Sequence, residues 1–264
     1  MHFLVGFLLS VLPVSAQFDE ALATFQAKDY GLAVPLMREL AADGDARAQY
    51  YLGVLYQQGY GVVASGEEAA RWYRRSAEQG HVKAQHNLAV LYERGDGVPR
   101  DYGAARDWYR RAAEQGAARS QHAMGMMYYH GGPVERDMAA AAEWWRKAAA
   151  QGDARSAYNL GLLYLRGRGV VRDTAQATRW WRQAAEGRLP VAQNALGDAL
   201  KNGQGVTPDA IEAYAWYRTA AQADFPVSVQ NAELLAEQFN VEQLGRADEL
   251  ADSYIDRYLD DDFR

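Results

Sequence analysis

Cysteine is absent from all 264 residues. Without a thiol there is no disulfide framework, no thiolate zinc site and no lipid-modified N-terminal cysteine. Catalytic signatures are missing as well: no SxxK, GxSxG or HExxH spacing occurs, so serine-hydrolase and zincin chemistry have no carrier in the sequence. A surplus of positive charge is also lacking. The formal net charge is −6 and the carboxyl end reads DRYLDDDFR, which argues against nucleic acid or an anionic membrane as a general partner. Any basic surface must be local. Long apolar runs are nearly absent too. The one in MHFLVGFLLSVLPVSA covers about ten residues, against about 20 needed to cross a bilayer, so no stable membrane insertion is expected. Val14-Ser15-Ala16 supplies small residues suited to a signal-peptidase site. Residues 1–16 therefore read as a signal peptide cleaved between Ala16 and Gln17, placing the protein in the periplasm or outside the cell. No Lys or Arg precedes the apolar run, which keeps an uncleaved segment or a misassigned start codon as the other reading.

What the sequence has in abundance is regularity. Steps of 36 residues from Trp72 land on Trp108, Trp144, Trp180 and Trp216. Cutting at Asp45, His81, Ala117, Asp153 and Leu189 gives five units: 45–80, 81–116, 117–152, 153–188 and 189–224. Residues 17–44 supply a degenerate N-terminal helix pair or cap, and 225–264 a degenerate sixth repeat and C-terminal cap. Each unit opens with a small residue (Ala48, Ala84, Ser120, Ser156, Ala192), then Leu or Met (Leu52, Leu88, Met124, Leu160, Leu196), then mostly Tyr (Tyr56, Tyr92, Tyr128, Tyr164). Recurrence at i, i+4 and i+8 makes these one apolar face of a first helix. Ala69, Trp72, Tyr73, Ser76 and Ala77, at i, i+3, i+4, i+7 and i+8, mark a second amphipathic helix, and later units match.

Between the helices run GYGV, GDGV, GGPV, GRGV and GQGV, whose first glycine (Gly59, Gly95, Gly131, Gly167, Gly203) suits a left-handed helix end. The chain restarts on Ser65, Asp101, Asp137, Asp173 or Asp209, residues that cap free helix amides, and Ser65 with Glu68 has capping-box spacing. Pro190 and Pro226 sit where a first helix begins and no amide donor is needed. Pro35 is tolerable only near a first turn, so its helix is expected to start late or bend.

A single helix pair this small cannot cover its own apolar faces, but stacked pairs bury them against one another. Trp180 is expected to fill the wedge between its own pair and the next, opposite small residues. Gly53, Gly125, Gly161 and Gly197 stand inside first helices at about 1 kcal/mol each relative to alanine, which points to close backbone approach. A saccharide-stacking role for the tryptophans is the alternative.

The pattern AQxxLGxxYxxGxGVxxDxxxAxxWYxxAAxxG resembles the Sel-one-like repeat (SLR) family, the 36-residue relatives of tetratricopeptide repeats. ARSAYNLGLLYLRGRGVVRDTAQATRWWRQAAEG, Ala154 to Gly187, follows it over nearly the whole unit, and the likeness holds from about Asp45 to Asp224. The resemblance implies an all-α, right-handed α-solenoid of stacked helix pairs used to hold other proteins. Many secreted bacterial members pair cysteines within each repeat. This chain has none, so the weak β-lactam hydrolysis of that branch is not carried over.

At about 100° per residue, the face of the first helix opposite the core stripe holds the third, seventh, tenth and fourteenth residues of each unit, with the sixth at its edge. In proteins similar to tetratricopeptide repeats this face lines a concave groove. Its third column reads Arg47, Lys83, Arg119 and Arg155, then Val191; the sixth reads Tyr50, His86, His122 and Tyr158; the seventh includes Asn87 and Asn159; the tenth is apolar (Val54, Val90, Met126, Leu162). These residues form a candidate groove for an extended peptide or acidic segment, with Arg gripping carboxylates and Asn pairing with ligand backbone. The arrangement resembles carboxylate-holding tetratricopeptide domains in its Lys, Arg and Asn, and departs from them at the sixth column, where Tyr and His replace a cation. Alternatively, the third column is a solvated surface paired with carboxylates of neighbouring units.

No catalytic residue, metal site or cofactor is expected. His86 and His122 share a column one repeat apart, with His130 nearby, but no acidic ligand accompanies them, and groove-wall histidines fit better. GYGVVASG joins two helices and not a strand to a helix, so it is the repeat's own turn and no phosphate loop. RGD at Arg94–Asp96 falls in the same turn register. Asp43 and Asp45 flank helix ends as caps, and the serines Ser120, Ser156 and Ser228 read as small packing residues. The sequence thus describes an exported, non-enzymatic protein–protein interaction scaffold of open oligomeric state. An enzyme or enzyme accessory handling cell-wall glycan or β-lactams in the same groove is the alternative.

Overall fold

The computed structural model describes residues 14–258, so all but the last three residues of the signal segment lie outside it. Every regular element among the described residues is an α-helix. In chain order they are α1 (Val14–Gln26), α2 (Tyr30–Ala42), α3 (Ala46–Gln58), α4 (Gly66–Glu78), α5 (Val82–Arg94), α6 (Tyr102–Glu114), α7 (Ala118–His130), α8 (Met138–Ala149), α9 (Ala154–Arg166), α10 (Thr174–Glu186), α11 (Pro190–Asn202), α12 (Ala210–Gln222), α13 (Pro226–Ala236) and α14 (Val241–Tyr258). The chain forms two compact units, one up to Ser120 and one from Gln121. In the first, each of α1 to α6 packs on its neighbours in sequence; in the second, α8 to α12 do the same, and α12 is covered by α13 and α14. Repeats that touch their neighbours and bury a shared core are the organisation expected of a solenoid.

The helix ends follow from local chemistry. Asp45, Asp101, Asp153, Asp173 and Asp209 each accept backbone amides of the helix they open, and His81 does the same through Nδ1, 3.2 Å from Ala84 N. Gly59, Gly95, Gly167 and Gly203 end their helices at φ between 63° and 78°, the left-handed geometry that a Cβ disfavours. The capping box at Ser65 is half formed: its Oγ accepts from Glu68 N at 3.2 Å, while its own amide donates to Tyr56 O. Pro35 does not delay its helix. With Asp29 capping the start, α2 begins at Tyr30 and the proline lies in its second turn, where it gives up the amide bond to the Gly31 carbonyl.

The second glycine of the turn has a separate task. A Cβ on Gly97 would overlap the backbone of Gly66 and Glu67 at the start of α4; on Gly169 it would meet Met138 and Ala139 at the start of α8; on Gly205 it would meet Thr174 and Ala175. These three turns therefore lie backbone to backbone against the opening of the preceding repeat's second helix, and fix how closely those neighbouring repeats approach.

The tryptophans divide in a way that their spacing does not announce. Trp72, Trp108, Trp144 and Trp180 are only partly buried, and Trp72, Trp108 and Trp180 pack at the border of the core. Cations one turn further on cover three of them: Arg75 stands 4.8 Å above the Trp72 ring, Arg111 4.6 Å above Trp108 and Lys147 4.4 Å above Trp144. The wedge opposite the first-helix glycines is filled by the following column instead, Tyr73, Tyr109, Trp145, Trp181 and Tyr217, all buried. Trp181, not Trp180, therefore occupies the close approach. Trp216 is fully buried because α14 lays Tyr254 and Tyr258 over it, with ring centroids 4.6 and 5.2 Å away.

Candidate binding face

One face of each first helix is given to the core. On α3 it carries Ala48, Gln49, Leu52, Gly53 and Leu55, and the equivalent residues of α5 and α9 are buried likewise. The third, sixth, seventh and tenth columns remain partly or fully exposed in every repeat. These columns hold all ten candidate site residues, and their surroundings differ.

Lys83, Arg119 and Arg155 are exposed, and none forms an ion pair among the described residues. Arg47 is different. It grips the cap of its own helix, with Nη2 2.7 Å from Asp45 Oδ2, and lies 4.0 Å over the Phe18 ring. The column thus splits into one neutralised cation and three open ones.

The sixth column stitches repeats together. His86 Nδ1 lies 2.8 Å from Ser120 Oγ, His122 Nδ1 lies 2.9 Å from Ser156 Oγ, and Ser228 Oγ donates to Asn194 Oδ1 at 2.8 Å. Where the sixth column is Tyr50 or Tyr158, the fourth residue of the next unit is Ala84 or Ala192, so an imidazole or amide at one position accompanies a serine at the other. The signal was present in the column alignment, and a reading of those serines as small packing residues missed it. Tyr50 instead stacks among rings, 4.8 Å from His81 and 5.2 Å from Tyr51, and its hydroxyl and that of Tyr73 face the Asn87 amide. Tyr158 packs against the core of its unit, and Asn159 Nδ2 points at Met126 Sδ, 3.7 Å away. A second ladder went unread: buried Gln49 and Gln85 each donate to a carbonyl at the end of the preceding helix, Ala41 O and Ala77 O, and accept from Gln79 and Gln115. These glutamines satisfy helix ends that burial would otherwise leave unpaired.

Burial, with the Arg119 charge adding to it, pushes His86 from 6.5 down to about 4. Asp153 is lowered as well, but against the direction of burial: burial would raise it, and hydrogen bonds from His122 and Ser156 prevail and bring it from 3.8 to about 2. A folded His86 stays neutral while an unfolded one gains its proton below about pH 6.5, so its share of stability is complete above that pH and is lost as pH falls toward 4. The slope of about 1.4 kcal/mol per pH unit bounds the loss at about 3 kcal/mol. Urea midpoints recorded from pH 7 to pH 4 should show a decline that His86→Gln reduces, with His81, also lowered by burial, supplying a further part. An unchanged slope in that variant would show that His86 is not the group responsible. The Asp153 share is lost only below about pH 3.8, outside this window.

An open cleft of about 480 Å³ lies in the first unit where α1, α3 and α5 meet, lined by Phe18, Arg47, Tyr50, Tyr51, His81 and Lys83 together with the short segment between them. Three of the ten candidate residues, Arg47, Tyr50 and Lys83, converge there. Among the described residues no cluster of three potential metal ligands occurs, and no helix is long and apolar enough to cross a membrane.

Sel1 repeats match residues 46–81, 82–116, 118–153, 154–188 and 190–225. Among solved structures, c5321, a protective antigen of uropathogenic Escherichia coli displaying an SLR fold, is similar at 36% identity and a TM-score of 0.78 over 86% of this chain. The chain spans about half of that protein, 49% of its length. A Sel1 repeat protein from Oxalobacter formigenes is similar over almost its whole length: 28% identity and a TM-score of 0.76, covering 89% of this chain and 98% of that one. No curated protein sequence matches the chain. Five matched repeats covering more than half the sequence, on helix pairs stacked through shared cores, place this chain in the Sel1 repeat family, with the α-solenoid fold of that family.

Proposed function

We propose that this chain is an exported, non-enzymatic scaffold that binds a segment of another protein on the exposed face of its first helices. Sel1 repeats typically mediate protein–protein interaction. The observation that carries the reading is the third column: Lys83, Arg119 and Arg155 recur at one register, exposed and without ion-pair partners, on a protein of net charge −6. Paired surface cations contribute little to recognition, whereas open ones attract and orient a ligand carboxylate. Apolar tenth-column residues beside them, Val54, Val90, Met126 and Leu162, give such a segment partly exposed surface to cover. The leader-like residues 1–16 support export.

A crosslinking pull-down from periplasmic extract tests the reading, with the parent beside Lys83→Glu/Arg119→Glu/Arg155→Glu, both first shown to have the same helical circular dichroism. A partner recovered by the parent and reduced at least tenfold in the variant is the expected result. Equal recovery by both would remove the cation column from the function.

A further inference from the structure

We infer that the cleft between α1, α3 and α5 is an anchor pocket for one aromatic side chain of an acidic protein segment, with the neighbouring ligand carboxylate seated on Lys83. The inference rests on the first-helix face being the binding face, and adds which residue types the partner must carry. The cleft is open and holds about 480 Å³, ample for one phenyl ring with solvent beside it. Its walls are the faces and edges of Phe18, Tyr50, Tyr51 and His81, already arranged edge-to-face or tilted at centroid distances of 4.8 to 6.0 Å. A further ring entering that set meets the same offset geometry that aromatic pairs prefer.

The polar groups around the cleft determine the sign of the ligand. Arg47 is engaged twice, by Asp45 and by the Phe18 ring, so it closes the wall and offers little charge. Asp19 lies near enough to act on Arg47 as well. Lys83 stands at the rim, exposed and unpaired, and the Arg119 charge reaches Tyr50 in the same region. Of the charged residues that line the cleft, Arg47 and Lys83, both are positive and only Lys83 is open, while Asp45 is held by Arg47 and exposed Asp19 also faces that guanidinium. An aromatic residue preceded by carboxylates satisfies both parts: the ring is desolvated against the partly exposed rings of Tyr50, Tyr51 and His81 with buried Phe18 behind them, and a carboxylate finds Lys83, which has no internal partner.

Fluorescence anisotropy with three labelled probes on the protein from Gln17 onward tests the inference: Gly-Asp-Asp-Asp-Phe-Gly, the same peptide with Ala for Phe, and Gly-Lys-Lys-Lys-Phe-Gly. The Phe-bearing acidic peptide is expected to bind at least tenfold more tightly than the Ala peptide, and the basic peptide not at all. Lys83→Glu, an exposed change that leaves packing intact, should weaken the acidic peptide about tenfold or more. Phe18→Ala should abolish the preference for Phe over Ala, provided its circular dichroism matches the parent. Equal binding of the Phe and Ala peptides, binding indifferent to Lys83→Glu, or no binding of the acidic peptide at millimolar concentration would each overturn the pocket. Should the pull-down partner depend on the cation column while these titrations stay flat, the pocket fails and the binding face stands; flat results in both remove the face itself.

Discussion

Gly161→Ala is expected to destabilise the second unit by about 3 kcal/mol or more, although alanine is the better helix former by about 1 kcal/mol. A Cβ at this position would overlap the indole edge of Trp181, a ring 4% exposed and packed in the core of its unit, so it has little room to retreat. Gly125 faces Trp145 in the same way. The size of the opposing ring sets the penalty. Gly53 and Gly197 face the smaller rings of Tyr73 and Tyr217, and the second repeat already places Ala89 in this column against Tyr109. Gly53→Ala should accordingly cost less than Gly161→Ala. Gly245→Ala, in α14 with nothing within 4 Å of the new Cβ, serves as the control and should stabilise by up to about 1 kcal/mol. Urea denaturation followed by circular dichroism separates these outcomes, and a neutral Gly161→Ala would show that the wedge is looser than its geometry implies.

Adjacent tryptophans give the second large effect. Trp181→Ala is expected to cost about 3 to 5 kcal/mol, the range for truncating a fully buried indole, and Trp180→Ala about 1 to 2 kcal/mol. Trp181 is sealed against Gly161 and the core of its unit, while Trp180 is partly exposed at the core border. Equal losses from the two substitutions would return the wedge to the 36-residue column. Measuring both in one background, by midpoint and by slope, guards against a change in the denatured state.

These two results bear on what the sequence made legible. The helix pairs, their caps and their turns were readable because each depends on local chemistry: a carboxylate before a helix, a glycine after it, apolar residues at helical spacing. The column that fills the wedge was not, because Trp180 and Trp181 are one residue apart and periodicity alone admits either as the inner one. Burial depends on which ring meets Gly161 across the pair, a tertiary fact. The inner column also varies in identity, Tyr73, Tyr109, Trp145, Trp181 and Tyr217, and so attracts less notice than the near-invariant tryptophan beside it.

For the binding face the position is reversed. The columns that stay open were deduced from helical geometry, and the structure leaves those columns at least partly exposed. What the residues do there was only partly readable. His86 and His122 spend Nδ1 on serines of the next repeat, and Arg47 is tied to Asp45, because short polar contacts between neighbouring elements are invisible to a single-helix projection. The pairing of Ser120, Ser156 and Ser228 with His86, His122 and Asn194 was within reach of a column-by-column comparison of adjacent units.

Photo-crosslinking from defined positions tests the central claim most directly. p-Benzoylphenylalanine placed at Asn87 or Asn159 reports from the first-helix face, and at Arg75 or Lys147 from the exposed side of the second helices. With each variant expressed in the native compartment, the account predicts that a partner adduct forms from Asn87 and Asn159 and is lost in the Lys83→Glu/Arg119→Glu/Arg155→Glu background. Adducts arising from Arg75 and Lys147 alone would contradict it, and would move the binding surface to the tryptophan-bearing helices.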